Sequence, residues 1–376
     1  MVKKGAVVVC NHWTQQGIGQ TFPEGEINGR WFRLNYSTIF SLLQGFRWLD
    51  QKPENRICHE FDASFLEDIV TEYPEMINDL KEKISEGRLE FLGGTYAQAE
   101  SQVFGYESAI RQLTYGQQTF EKYLGAGAKT FIVEEQCFYS QLPQLLKKCG
   151  FQYASLQFQN SGTPEMSPFD VVSWKGLDGT EIPAVPPHRG MLSCSRQWMD
   201  YEQVISSLSE HEFPLIFQWV EIWPPGMDWG ASMEPYSGAI NVSASQGFRQ
   251  MTLSEYIEKA ISRVKAPEKE FPMDSSNYDN SFFEGGWGFE NEKTARMANQ
   301  CENILMTADV ICSGNRSEAI PPELEKVLKT QWKNYLIAQN HDPYLAGRVP
   351  AMVGGIRSFQ SELATKRFHT VSKTLK

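Results

Sequence analysis

Two carboxylate-bearing segments offer chemistry. In Phe131-Ile-Val-Glu-Glu135, an apolar run ends in a Glu pair and is followed by Tyr139-Ser140 and Leu142-Pro143-Gln144. In Phe213-Pro-Leu-Ile-Phe-Gln-Trp-Val-Glu221, a second apolar run ends in Glu221, between Trp219 and Trp223. Carboxylates just past strand ends stand where parallel α/β folds build their sites. An aromatic setting raises a carboxyl pKa and keeps it protonated, as a general acid requires. Asp228 is the fallback for Glu221. His12, in His12-Trp13-Thr14, and His341, in Gln339-Asn-His-Asp342, are candidate metal ligands at opposite ends of the chain. A single such histidine is more often a packing residue. Trp219, Trp223 and Trp229 fall in sequence rich in Gly and Pro, suited to stacking on apolar sugar faces.

The elements that must hold these residues follow from periodicity. Strands are predicted over 5–10, 56–61, 89–92, 130–134, 152–157 and 215–219, and helices over 74–86, 107–124, 142–148 and 253–264. Thr252 is a candidate N-cap for the last of these. Residues 171–185 read as a β-hairpin turning at Asp178-Gly179. Strand alternation directs Cys10 inward and sends Glu134 to the face opposite Glu135. From about residue 290 the chain turns helical, over 293–309 and 324–338, with a third helix within 350–376. Strands alternating with helices imply a parallel sheet or barrel.

Composition narrows the classes. The 376 residues suffice for two domains, and a net charge of −11 argues against nucleic acid and anionic membranes as partners. Seven scattered cysteines without a Cys-x-x-Cys read as reduced thiols. The N-terminus lacks a secretory pattern and no run has membrane-spanning length, so a cytoplasmic location is expected, a cloned mature secreted form looking the same. Phosphate-loop and Gly-x-Ser-x-Gly patterns are absent.

The order of four motifs resembles glycoside hydrolase family 38, the α-mannosidases. These are His12-Trp13-Thr14, Gly87-Arg-Leu-Glu…Gly93-Gly94 with Glu107-Ser108 and Arg111-Gln112, the Glu135…Tyr139-Ser140 strand end, and Gln339…His341-Asp342. The resemblance covers roughly the whole chain. It implies an α/β fold: a seven-stranded β/α barrel over 1–275, followed by a small three-helix domain over 276–376. Family members continue into a β-rich region, so the chain is expected to be a fragment or a minimal member.

The resemblance also implies roles. Retaining hydrolysis of an α-mannoside-like carbohydrate uses two carboxyls about 5–5.5 Å apart. Glu135 is expected as nucleophile, by its register with Tyr139-Ser140, and Glu221 as acid/base. Zinc is expected on His12, Glu135 and His341. The family's aspartate in His-x-Asp is here Thr14, a poor neutral ligand, but a His₂Glu set remains. Trp13, Asp62, Tyr96, Glu100, Trp219 and Trp287 are candidates for holding the sugar. A non-catalytic carbohydrate-binding descendant is the alternative, and a metal-dependent deacetylase is disfavoured for want of its paired histidines.

Overall fold

The computed structural model describes residues 4–14, 24–32, 35–99, 104–132, 138–156, 167–192, 201–222, 240–241, 244–263, 270–272, 292–314, 320–340 and 366–374. Among them, two sheets carry the fold. The first runs β10 (Met191–Leu192), β11 (Leu215–Val220), β1 (Ala6–Thr14), β4 (Ile57–Phe61) and β5 (Leu89–Gly93), with β12 (Arg249–Gln250) also on β1; all its pairings are parallel. The second runs β13 (Glu270–Pro272), β8 (Val172–Lys175), β9 (Glu181–Val185), β7 (Tyr153–Ser155) and β6 (Thr130–Phe131), with β8–β9 the antiparallel pair. That pair is the predicted hairpin. It turns at Gly179 with φ +82, a left-handed conformation natural to glycine, while Asp178 Oδ1 accepts the Thr180 N–H at 2.9 Å. The mixed, two-sheet α/β architecture is what hydrogen bonding defines; these strands do not pair into one closed sheet.

The two sheets nevertheless enclose one core. Ala6, Val8 and Cys10 of β1, Cys58 of β4, Leu92 of β5, Ile132 just past β6, Val185 of β9 and Phe217 and Trp219 of β11 form a single buried cluster. The alternate residues Val7 and Val9 pack outward among α1 (Tyr36–Gln51), α2 (Ala63–Glu72) and α3 (Met76–Ser85). Strands buried on both faces read as continuous apolar runs, and Val7-Val8-Val9 is one.

Helix α4 (Tyr106–Leu124) follows β5; α5 (Leu142–Lys148) follows β6, α6 (Tyr201–Ser207) precedes β11 and α7 (Leu253–Arg263) follows β12. Glu255 N–H lies 3.4 Å from Thr252 Oγ1, consistent with Thr252 as N-cap. Helices α8 (Glu292–Gly314) and α9 (Pro322–Ala338), with the helical residues 366–374, form the C-terminal layer. They meet α4 through buried polar contacts. Glu302 on α8 accepts from Gly105 N (3.0 Å), Ser108 N (3.1 Å) and Tyr335 Oη (2.9 Å). A carboxylate from one layer therefore satisfies orphan N–H groups at the first turn of a helix in another. Nearby, Arg111 stacks 3.9 Å above the Trp332 ring and pairs with Asp309 at 2.8 Å. No helix among the described residues is long and apolar enough to cross a membrane.

Candidate active site at the strand ends

Strand β1 runs four residues past its predicted end, and that extension carries His12. The pairing fixes where His12 lies. Cys10 is the partner of Trp219 on one side and of Cys58 on the other, all three in the enclosed core. Two residues further along each strand come His12, Glu221 and Glu60. Alternation keeps these three on the same face, one pleat nearer the C-terminal end. All are buried, with exposures of 4%, 7% and 0%.

His12 Nε2 lies 2.9 Å from Glu221 Oε1. The His12 ring stands edge-on to Trp219, with centroids 6.1 Å apart. Trp219 itself is fully buried and packs edge-on against Phe217 at 5.0 Å. The residue expected to stack on sugar is instead the floor beneath the His12–Glu221 pair.

A bulge interrupts the β1–β4 ladder at this point: Asn11 pairs with His59, and the next pair is Thr14 with Phe61. The extra residue on β1 falls opposite Glu60, and such bulges re-aim side chains. Thr14 Oγ1 closes it by donating to the Glu60 carbonyl at 2.6 Å, with Asn11 O at 3.4 Å. On the outer face of the same strands, Asn11 Nδ2 donates to Ser41 Oγ at 2.8 Å and lies 3.3 Å from His59 Nδ1. Burial pulls the His59 imidazole down to about 3 and keeps it neutral.

Glu60 carried no signal at the sequence level beyond being a charged residue inside an apolar run. Its carboxylate accepts from Gln98 Nε2. Gln98 belongs to the loop after β5, and that loop is fastened from behind. Gln112 Oε1 accepts the Ala97 N–H at 2.8 Å, while Gln112 Nε2 donates to Leu336 O at 2.9 Å. Ala99 forms a β-bridge with Asn340, at the end of α9. The C-terminal layer thus reaches the strand-end face through the loop that holds Glu60.

The other expected site residues separate. Asp62 is buried at the β4–α2 junction, at the helix N-terminus. Tyr96 turns away from the strand ends: its hydroxyl donates to Glu67 at 2.8 Å, and Glu67 also accepts from Lys333 on α9. Burial and that carboxylate push the Tyr96 phenol far up. It fastens the C-terminal layer rather than lining the site. Trp13 is within β1, but its side chain lies outside the described residues, as do Glu100, Glu134, Glu135, Trp223, Asp228, Trp229, Trp287 and His341.

Of the motif that the family uses for zinc, His12 and Thr14 are described. Thr14 has committed its hydroxyl proton to backbone carbonyls, and His12 Nε2 is directed at Glu221. Among the described residues, no group of three or more His, Cys, Asp or Glu side chains is set to hold a metal ion. Glu135 and His341, the other two expected ligands, lie outside the described residues, so only His12 of the expected ligand set is described.

Comparison with known proteins agrees with this architecture. Residues 42–266 match the profile of the Glycosyl hydrolases family 38 N-terminal domain. Alpha-mannosidase G of Dictyostelium discoideum is 32% identical over 111 residues, which are 29% of this chain and 10% of that protein. Alpha-mannosidase of Saccharomyces cerevisiae is 28% identical over 177 residues, 46% of this chain and 14% of that protein. The matches therefore span a small part of these longer relatives. Among solved structures, an alpha-mannosidase from Enterococcus faecalis V583 superposes with a TM-score of 0.63 at 14% identity, covering 99% of this chain and 43% of that one. A 4-alpha-glucanotransferase from Thermococcus litoralis gives 0.63 at 14% identity, covering 100% and 60%. At such identities these two likenesses concern the fold alone. The profile match across more than half of the chain places this protein in glycosyl hydrolase family 38.

Proposed function

We propose that this protein is a retaining, α-mannosidase-like glycoside hydrolase acting on a glycan or small glycoside. The two sheets are then one interrupted seven-stranded β/α barrel over 1–275, with a three-helix domain over 276–376. The observation that carries the reading is the buried His12–Glu221 pair at the C-terminal strand ends, in the same layer as Glu60.

Glu221 is the acid/base. With the His12 proton on Nε2, that nitrogen donates to Glu221 Oε1, and the transferable proton is assigned to Oε2. In the first step Glu221 gives that proton to the glycosidic oxygen as the C–O bond breaks, and the Glu135 carboxylate bonds to the anomeric carbon. In the second, ionised Glu221 takes a proton from water as its oxygen attacks the same carbon and releases Glu135. The His12 donor stabilises the carboxylate that appears between the steps. His341 follows Asn340, whose bridge to Ala99 supports a place for it beside the sugar. Trp13 and Trp287 are proposed to flank the ring, and Asp62 to accept a hydroxyl. No step is routed through zinc.

The test is turnover of a panel of aryl α- and β-glycosides with metal content measured on the same sample. Cleavage of an α-mannoside with retention is expected, with zinc in the sample held by His12, Glu135 and His341. Tight sugar binding without turnover would instead make the chain a carbohydrate-binding descendant. Turnover should be lost on chelation and restored by zinc; full turnover by metal-free protein would end the metal reading.

A further inference from the structure

Strand β1 follows a different register on each side. Toward β11 its pairing is regular from Ala6 opposite Leu215 to Asn11 opposite Val220, and His12 and Glu221 are the next residues on the two strands. Toward β4 it is irregular. Asn11 pairs with His59 and Thr14 with Phe61, so β1 carries one residue more than β4 across this stretch. His12 lies inside that mismatch. A slip of one residue in strand pairing sends a side chain to the other face of the sheet. For His12 that is the face away from Glu221.

Two anchors bracket the irregular stretch. Before His12, Asn11 Nδ2 donates to Ser41 Oγ of α1 at 2.8 Å and lies 3.3 Å from His59 Nδ1. After it, Thr14 Oγ1 donates to the Glu60 carbonyl at 2.6 Å, with the Asn11 carbonyl at 3.4 Å. The first anchor lies where β1 and β4 are still in step. The second belongs to the bulge itself. It ties the residue that ends the mismatch to the β4 residue enclosed by it, between His59 and Phe61. Asn11, Thr14 and Glu60 are all fully buried, so the hydroxyl is shielded from competition with water. The acceptor is a carbonyl, which requires a donor opposite, and a threonine hydroxyl supplies one.

We propose that Thr14 is a positioning residue for His12: its hydroxyl clasps the β1 bulge onto β4 and so holds the His12 imidazole on Glu221. This rests on the glycosidase reading for its effect on rate, and names a residue of that site that acts only through another.

The experiment measures kcat and KM of wild type, Thr14→Val and Thr14→Ser on two α-mannosides, one with an activated aryl leaving group and one with a poor leaving group. Thr14→Val keeps the bulk and removes the donor. Its kcat on the poor leaving group should fall about 10–100-fold with KM changed less than about threefold, because small displacements of a catalytic group cost rate on that order. The activated substrate, which needs no protonation, should lose far less. Thr14→Ser keeps the donor and should return to within about threefold of wild type. Wild-type kcat in Thr14→Val, equal losses in Thr14→Val and Thr14→Ser, or equal losses on the two substrates would each overturn the proposal. If Thr14→Val does not fold, Thr14→Cys, of serine's size but only a weak donor, takes its place with the same expectation. If wild type cleaves neither substrate, the glycosidase reading fails, and ring spectra of 15N-histidine-labelled protein decide Thr14 by themselves. Of the six histidines, His12 is identified by the signal lost in His12→Asn. That signal should move in Thr14→Val and stay in place in Thr14→Ser; an unmoved signal overturns the proposal.

Discussion

His12 and Glu221 meet at 2.9 Å because β1 and β11 are neighbours in parallel register, Cys10 opposite Trp219, and each side chain projects two residues further on. The pair is a consequence of strand order. Removing Glu221 leaves the His12 ring buried edge-on to Trp219.

Glu221→Ala should therefore cripple glycosides with poor leaving groups by several orders of magnitude, and activated aryl glycosides far less, since only the former need protonation. Azide should partly restore turnover of the activated substrates by replacing the base-assisted water. Steady-state kinetics on the two substrate types checks this. Equal losses on both would move the acid/base role to Asp228.

Glu135→Gln should keep the fold and lose several orders of magnitude in turnover. Two ways of counting bear on this position. Register with Tyr139-Ser140 selects Glu135. Counting in twos from Ile132, which belongs to the enclosed core while Phe131 packs outside it, reaches Glu134 instead. Glu134→Gln, made alongside, separates the counts: trapping of a fluoro-sugar ester should vanish in the Glu135 variant and persist in the Glu134 variant.

Glu302→Ala should destabilise the protein by about 2–3 kcal/mol, because Gly105, Ser108 and Tyr335 lose a charged acceptor at a helix N-terminus. Denaturant midpoints read this directly. Wild-type stability would mean that the C-terminal layer docks without the cap.

Acid should weaken the fold through two neutral buried histidines. Burial lowers His59 to about 3, and burial together with His211 lowers His188 to about 3. His188 Nδ1 accepts the Gly190 N–H at 3.0 Å, which fixes its neutral tautomer. Below pH ~6.5 the unfolded chain takes up these protons and the folded one does not, so stability is full above that pH and falls toward pH ~3. Each histidine should contribute a slope of about 1.4 kcal/mol per pH unit in that window. Stability measured at intervals from pH 7 to 5 should show it, and His188→Asn should flatten the curve by one histidine's share.

The sequence by itself determined the elements with strong local signals. Helix 76–85 repeats its apolar residues and stops at Gly87, the 171–185 hairpin turns at a glycine, and Val7-Val8-Val9 could only be a strand buried on both faces. It also marked Glu221, which follows an apolar run, and His12, through the motif His12-Trp13-Thr14, as candidates. Other features needed the tertiary structure. Helix α1 breaks periodicity because it is buried widely, from Ser37 to Leu49. The Asn28-Gly29 turn between β2 (Gly25–Ile27) and β3 (Arg30–Phe32) is a hairpin signal that stands out only once its two short strands are seen. Trp219 and Tyr96 have the residue types that sugars favour, yet strand pairing buries one under His12 and Glu67 claims the other. Glu60 shows the reason most plainly. Its charge suggests solvent, and only the pairing of β4 with β1 buries it on the inward face. Local patterns fix the period of a strand, but which neighbour it pairs with, and in what register, depends on contacts across the whole chain.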